Sequence, residues 1–304
     1  MLINNFSQAI GNTPLVKINS LNKTDANIFA KVESMNPLSS AKDRAALYMI
    51  EEAEKRGDLQ KDSIIVEPTS GNTGVGLAYI AAIKGYKTIF TMPSSMSVER
   101  RKLLKAFGAQ IILTDPDKGM TGAIAKANEL ALNDKKIFIP QQFNNPDNPL
   151  SHYKTTGPEI YRDLDGKIDI FISAVGTGGT LSGCAKYLKE KKADTCVIAV
   201  EPSTSAVISG EKAGKHDIQG IGAGFIPKNL DMKLIDEVLK VTTEKAYSTS
   251  RDIAKKEGIL VGISAGAALA AAIEVGNRPE NKDKNIVVIF PDTGERYLST
   301  ALFD

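Results

Sequence analysis

Residues 169–180 read DIFISAVGTGGT: an apolar run of strand character passes directly into five small residues, Gly176-Thr177-Gly178-Gly179-Thr180, and then into a helical pattern carrying Cys184 and Tyr187. The same strand, turn and helix alternation extends outward in both directions. Strands are expected at 27–33, 63–67, 87–92, 109–114, 169–175, 196–200 and 285–290. Helices are expected at 42–56, 73–84, 98–107, 121–133 and 265–275. Gly57, Gly85, Gly108, Gly258 and Gly276 each stand where such a helix would need a left-handed cap. Alternation of this kind predicts an α/β chain with parallel sheet covered by helices.

The chain has 304 residues, a length that favours two modest domains or one large one. Its 38 Lys+Arg nearly balance 36 Asp+Glu, so it lacks the electrostatic footprint of a nucleic-acid binder. His152, His216, Cys184 and Cys196 are scattered without ligand spacing, which argues against a metal centre, an iron–sulfur cluster or a redox dithiol. Two cysteines build no disulfide framework, and both read as small buried hydrophobes. No basic leader and no apolar run of spanning length occurs, so a cytoplasmic chain without membrane contact is expected. The densest cluster of turn residues, 141–151, is the expected domain crossing. A second irregular stretch, 203–231, is rich in glycine and too long for a plain connector.

Three glycine turns follow strands and open helices. In Pro68-Thr69-Ser70-Gly71-Asn72-Thr73-Gly74, hydroxyls, an amide and the unpaired N–H groups of a helix start suit a carboxylate or a phosphate, or form a capped turn. Gly176–Thr180 can form a nest of donors around a phosphate. A dinucleotide fingerprint competes there, because Glu201 follows Gly179 by 22 residues, but Leu181 occupies the position of its third glycine. Gly262-Ile263-Ser264-Ala265-Gly266 matches the nucleophile elbow of serine hydrolases, although both histidines lie upstream of it, in the wrong chain order. Against these turns stands Lys42, after Asn36-Pro37-Leu38-Ser39-Ser40-Ala41, at the start of an amphipathic helix. The helix dipole disfavours a charged ammonium there, and a neutral amine is what imine formation with an aldehyde requires.

With these motifs together, the chain resembles the fold-type II pyridoxal-phosphate enzymes, within them the cysteine synthase (O-acetylserine sulfhydrylase) family. The likeness runs along the whole chain. It includes Ile10-Gly11-Asn12-Thr13-Pro14-Leu15, Gln141-Gln142-Phe143, Lys154-Thr155-Thr156-Gly157-Pro158-Glu159-Ile160, Gly220-Ile221-Gly222-Ala223-Gly224-Phe225 and Gly294-Glu295-Arg296-Tyr297-Leu298-Ser299-Thr300. It implies a tryptophan synthase β-like fold of two three-layer α/β/α domains with mostly parallel sheets. Residues 36–145 would form a smaller, mobile, substrate-binding domain, and 1–35 plus 146–304 a larger, cofactor-anchoring one.

The resemblance further implies that Lys42 holds pyridoxal 5'-phosphate as a Schiff base and moves the Cα proton. Gly176, Thr177, Gly178, Gly179 and Thr180 would grip the phosphate, Asn72 the ring hydroxyl, and Ser264 the pyridine nitrogen. Thr69, Ser70, Gly71 and Thr73, with Gln142, would take the substrate carboxylate. The implied reaction is β-replacement of O-acetyl-L-serine by sulfide, through an aminoacrylate, to give L-cysteine. A homodimer and docking of a serine acetyltransferase C-terminal peptide are also implied.

Leu38-Ser39, Ala41 and Pro291-Asp292-Thr293 depart from the family pattern and leave the substrate pair open. The rivals are a cystathionine β-synthase and a cysteine-consuming enzyme that releases hydrogen sulfide, for which Asp217 or Asp231 could activate water. A dehydratase would carry His at Thr73, and a non-enzymatic binding module would form no imine at Lys42. His152 could line the active-site entrance, but beside turn residues it reads more readily as a surface or capping group.

Overall fold

The structure, a computed structural model, describes residues 2–69 and 71–304. In chain order, β1 (Leu15–Lys17) and β2 (Asn27–Val32) precede α1 (Lys42–Arg56). Then follow β3 (Ile64–Pro68), α2 (Asn72–Lys84), β4 (Lys87–Pro93), α3 (Val98–Ala106), β5 (Gln110–Thr114), α4 (Gly119–Asn133) and β6 (Ile137–Phe138). The remainder holds α5 (Asp147–Lys154), α6 (Thr156–Asp163), β7 (Ile170–Ala174), α7 (Gly179–Lys191), β8 (Cys196–Pro202), β9 (Glu237–Val241), α8 (Thr243–Glu257), α9 (Ile263–Gly276) and β10 (Asn285–Phe290). The fold is α/β with mostly parallel sheets.

Two compact units form, residues 2–10 with 42–148, and residues 11–41 with 149–304. These joins differ from the expected ones for identifiable reasons. The Phe6 ring meets the Tyr79 ring of α2 edge-on at 5.9 Å, which ties the first residues to the smaller unit. Residues 36–41 stay with the larger unit, because Ala41 N–H donates to the Pro291 carbonyl at 2.8 Å and Ser40 bridges Asp292.

The smaller unit holds a parallel sheet in the order β5-β4-β3-β6. Pairing between β3 and β6 lasts only for Ile64 with Ile137 and Ile65 with Phe138, and Pro140 follows without an N–H to extend it. Helix α2 packs closely on α1. A Cβ at Gly76 would stand 3.0 Å from the Lys42 carbonyl oxygen and 3.0 Å from the Ala46 side chain, so a larger residue would push α2 away from the start of α1.

The larger unit holds the sheet β1-β2-β10-β7-β8-β9, parallel except for β1 against β2. Its central strands β7, β8 and β10 are almost wholly buried, which is why they read as unbroken apolar runs. Helix α9 is buried on every side and accordingly rich in alanine. Of the five glycines expected as caps, Gly57, Gly85, Gly108 and Gly258 are left-handed, whereas Gly276 ends α9 with Thr24 pressed against it. Gly276 is therefore a close-approach residue, a role its place in the sequence does not reveal.

The motif at residues 10–15 serves the framework. Gly11 N–H donates to Asn36 Oδ1 at 2.9 Å, Asn12 N–H to Glu159 Oε1 at 2.9 Å, and the Thr13 hydroxyl to the buried Glu33 at 2.6 Å. These bonds steady the segment that leads to Lys42. Buried Lys31 closes the cluster, 2.8 Å from Glu159.

Candidate active site

Lys42 is the first residue of α1, partly buried, between buried Ala41 and Asp43. In the same unit β3 ends at Pro68 and α2 begins at Asn72, so Thr69, Gly71 and Asn72 occupy the turn as expected. Ser70, assigned to the same turn, lies outside the described residues. Gly71 is the N-cap of α2 and brings no side chain to its first N–H groups. Among the described residues beyond its chain neighbours, none places an atom within 4 Å of where a Gly71 Cβ would stand. The fold does not require glycine there, and the open space in front of a helix start suits an approaching anion.

Gln142 is brought to this turn from 69 residues away: the Thr73 hydroxyl donates to Gln142 Oε1 at 2.5 Å. Both side chains are buried. The main chain of Gln142 is held on both sides. Asn148 Nδ2 donates to its carbonyl at 2.8 Å, and its N–H donates to Glu67 Oε1 at 3.2 Å. Glu67 is buried on β3, and burial pushes its carboxyl up to about 7 against the opposing pull of the N–H groups of Gln142 and Gln141. The sequence reading passed over Glu67. An acid at the end of an apolar strand, just before a glycine turn, was the available signal.

In the larger unit, β7 leads into Gly176–Thr180 and α7. Gly178 is the left-handed N-cap of α7, with φ +81°. A Cβ on it would stand 2.8 Å from the Leu230 nitrogen, and one on Gly176 would stand 2.3 Å from the Gly220 carbonyl oxygen. The long stretch 203–231 is thus the wall of this turn. Gly222 N–H donates to the Val175 carbonyl at 3.1 Å, and Asp231 N–H to Ser182 Oγ at 2.9 Å.

Thr177 is buried, and Thr180 Oγ1 lies 3.1 Å from Nε2 of His152. His152 is fully buried, with Nδ1 2.8 Å from Thr156 Oγ1. This corrects the reading of His152 as a surface or capping group. It sits on α5 behind the Gly176–Thr180 turn, and helix packing buried it where the flanking turn residues suggested exposure. Ser264 is buried in the first turn of α9, after N-cap Gly262. Its hydroxyl oxygen stands 3.9 Å from the place of a Gly220 Cβ, so one residue of the long loop adjoins both Gly176 and Ser264. Buried Asp292 accepts the Tyr297 hydroxyl at 2.6 Å.

The two acids considered for water activation are exposed, and Asp231 spends Oδ1 on the Lys233 N–H at 3.1 Å, an ordinary helix-start cap. Among the described residues there is no cluster of three or more His, Cys, Asp or Glu that could hold a metal. No helix among them is long and apolar enough to cross a membrane.

Within the larger unit, the start of α7 offers main-chain donors and two threonine hydroxyls in a cradle that admits no Cβ at two positions, a donor set that fits the phosphate of pyridoxal phosphate, and Ser264 offers a neutral hydroxyl. Within the smaller unit, Lys42 offers the primary amine that an aldehyde cofactor takes.

The profile of the family described as "Pyridoxal-phosphate dependent enzyme" matches residues 6–292. The chain is 56% identical over 306 residues to Cysteine synthase A of Salmonella typhi, covering 98% of this chain and 94% of that protein. Among solved structures, a cysteine synthase (OASS) from Entamoeba histolytica superposes with TM-score 0.98 at 45% identity, covering 100% of this chain and 91% of that one. A hydrogen sulfide-producing enzyme from Fusobacterium nucleatum gives TM-score 0.94 at 47% identity, over 98% and 99%.

Proposed function

The chain belongs to the pyridoxal-phosphate-dependent enzymes, and from that premise we propose that it is a cysteine synthase: O-acetyl-L-serine and hydrogen sulfide give L-cysteine and acetate. The Cβ–O bond to acetate breaks and a Cβ–S bond forms. The observation that carries the reading is the contact of Thr73 with Gln142, which adds a side-chain amide to the helix-start donors and makes the turn a seat for an amino-acid carboxylate. The likeness to cysteine synthases along the whole chain selects O-acetylserine and sulfide among the possible partners.

When bound, pyridoxal phosphate supplies the electron sink that makes the Cα proton removable. Lys42 Nζ takes that proton and later returns it. Thr69, Ser70, Gly71 and Thr73, with Gln142, would hold the carboxylate, and Asn72 would bind the ring hydroxyl. Gly176, Thr177, Gly178, Gly179 and Thr180 would bind the phosphate. Ser264 would meet the pyridine nitrogen with a neutral group and so would not hold a proton there as a carboxylate would. In this reading the smaller unit takes the substrate and the larger anchors the cofactor.

The capping role of Asp231 and the exposure of Asp217 favour synthesis over water-activated consumption of cysteine. The test compares three reactions of the purified holoenzyme: cysteine formation from O-acetylserine and sulfide, cystathionine formation with homocysteine, and sulfide release from cysteine alone. The first is expected to exceed the others by at least about 100-fold in kcat/KM, a difference of roughly 3 kcal/mol. Faster sulfide release from cysteine would reverse the assignment.

The reading also assigns a hydrogen-bond direction. A phosphate offers only acceptors, so the Thr180 hydroxyl would donate to it and its oxygen would accept from His152 Nε2–H. Nδ1 then accepts from Thr156. His152→Leu is expected to weaken cofactor binding about tenfold, the worth of one buried hydrogen bond. Titration of the apoenzyme with pyridoxal phosphate, followed by fluorescence, measures it; unchanged affinity would remove His152 from the cofactor site.

A homodimer and docking of a serine acetyltransferase C-terminal peptide belong to the same reading, supported by the length of the resemblance. A cytoplasmic location is supported by two free cysteines.

A further inference from the structure

Glu67 plays no part in the chemistry above, yet it spends a buried carboxylate on the chain that carries Gln142. Its Oε2 accepts the Gln141 N–H at 3.0 Å and its Oε1 the Gln142 N–H at 3.2 Å. The sheet explains why it is needed. Parallel pairing of β3 with β6 stops at Ile65 and Phe138, and continued register would place Glu67 opposite Pro140. Past that point the ladder offers Gln141 and Gln142 nothing, and the carboxylate takes the N–H groups in its place. Gln141 is bent into the left-handed region, φ +56°, and its carbonyl accepts the N–H groups of Asn144 and Asn145 at 2.8 and 3.0 Å. The bend turns the Gln142 side chain to Thr73.

We propose that Glu67 is a positioning residue for the substrate carboxylate, holding the Gln141–Gln142 main chain so that the Gln142 amide faces the start of α2. The proposal rests on the reading of Gln142 as a carboxylate ligand. Glu67 itself touches no substrate. Glu67→Gln preserves shape but replaces one acceptor oxygen with an NH2 group, which opposes one of the two N–H donors.

The test measures binding of L-alanine, an amino acid without a leaving group, to holoenzyme of four forms: wild type, E67Q, Q142A and the double variant. It adds KM and kcat for O-acetylserine and the melting temperature of each. E67Q is expected to weaken alanine binding and raise KM about tenfold, with kcat within about threefold. Its melting temperature at pH 8 should not fall, because a buried charge has been removed. The double variant should bind alanine no more weakly than Q142A alone, since Glu67 acts through Gln142.

Unchanged alanine binding by Q142A would overturn the role of Gln142 itself. Weakened Q142A beside unaltered E67Q would overturn only the role of Glu67. Additive losses with a lowered melting temperature would assign Glu67 to the fold and overturn the proposal equally. Should E67Q not fold, Glu67→Asp, one methylene shorter and unable to reach both N–H groups together, takes its place and is judged on alanine binding, KM and the double-variant cycle alone, because it keeps the buried charge.

Discussion

The Lys42→Ala enzyme is expected to form cysteine from O-acetylserine and sulfide at least about 1,000-fold more slowly than wild type, since the proposed function gives one side chain both the attachment of the cofactor and the movement of the Cα proton. The loss should fall on chemistry and leave the fold intact. Helix α2 rests on the Lys42 main-chain carbonyl, at the place where Gly76 admits close approach, and truncating the side chain leaves that contact in place. Alanine is also the best helix former for the first turn of α1. The direct measurement is intact mass after borohydride reduction. Wild type should gain one reduced cofactor per chain, and the variant should gain none. A variant that still gained that mass would place the covalent attachment on another lysine.

Gly176→Ala should do comparable damage by a different route. The new methyl carbon would stand 2.3 Å from the Gly220 carbonyl oxygen, a main-chain atom with no rotamer by which to step aside. Its loop is held there by the Gly222 N–H on the Val175 carbonyl. Overpacking of this kind costs about 3 kcal/mol, and relief requires Gly176 or Gly220 to move, which would disturb the turn proposed to hold the phosphate. The expected result is a lowered melting temperature and an enzyme that loses pyridoxal phosphate on gel filtration. Gly71→Ala provides the control for the steric argument, since a methyl group there meets no atom of the described residues beyond its chain neighbours within 4 Å and should leave the melting temperature unchanged. Equal stability of the two variants would refute the claim that the long loop packs against Gly176.

These two residues also show what can be read from a sequence. Lys42 and the glycine turns were legible because their meaning is local. A small-residue turn between strand and helix exposes N–H donors wherever the chain folds, and a lysine at a helix start stands out against the pattern. The departures came from contacts that no local pattern encodes. His152 sits among turn residues but is packed to complete burial against Thr156 and Thr180. Gly276 follows a helical pattern as a cap would, yet its role is to admit Thr24. Glu67 looked like the acidic end of a strand, and its importance appears only once Gln141 and Gln142 return beside it.

The sequence by itself determined the α/β alternation, the lysine at a helix start and the kinds of turn, which follow from backbone preference and side-chain chemistry over a few residues. Its motifs carried the family resemblance that implied the cofactor class. Tertiary structure alone decided how distant groups complete each turn: the hydrogen bond by which Gln142, grouped with Thr73 only through the resemblance, meets it under the hold of Glu67, and the packing of Gly220 against Gly176 beside Ser264. A main-chain N–H or carbonyl is the same on every residue, so a site that recruits them at long range leaves no mark in the sequence until packing chooses which ones meet.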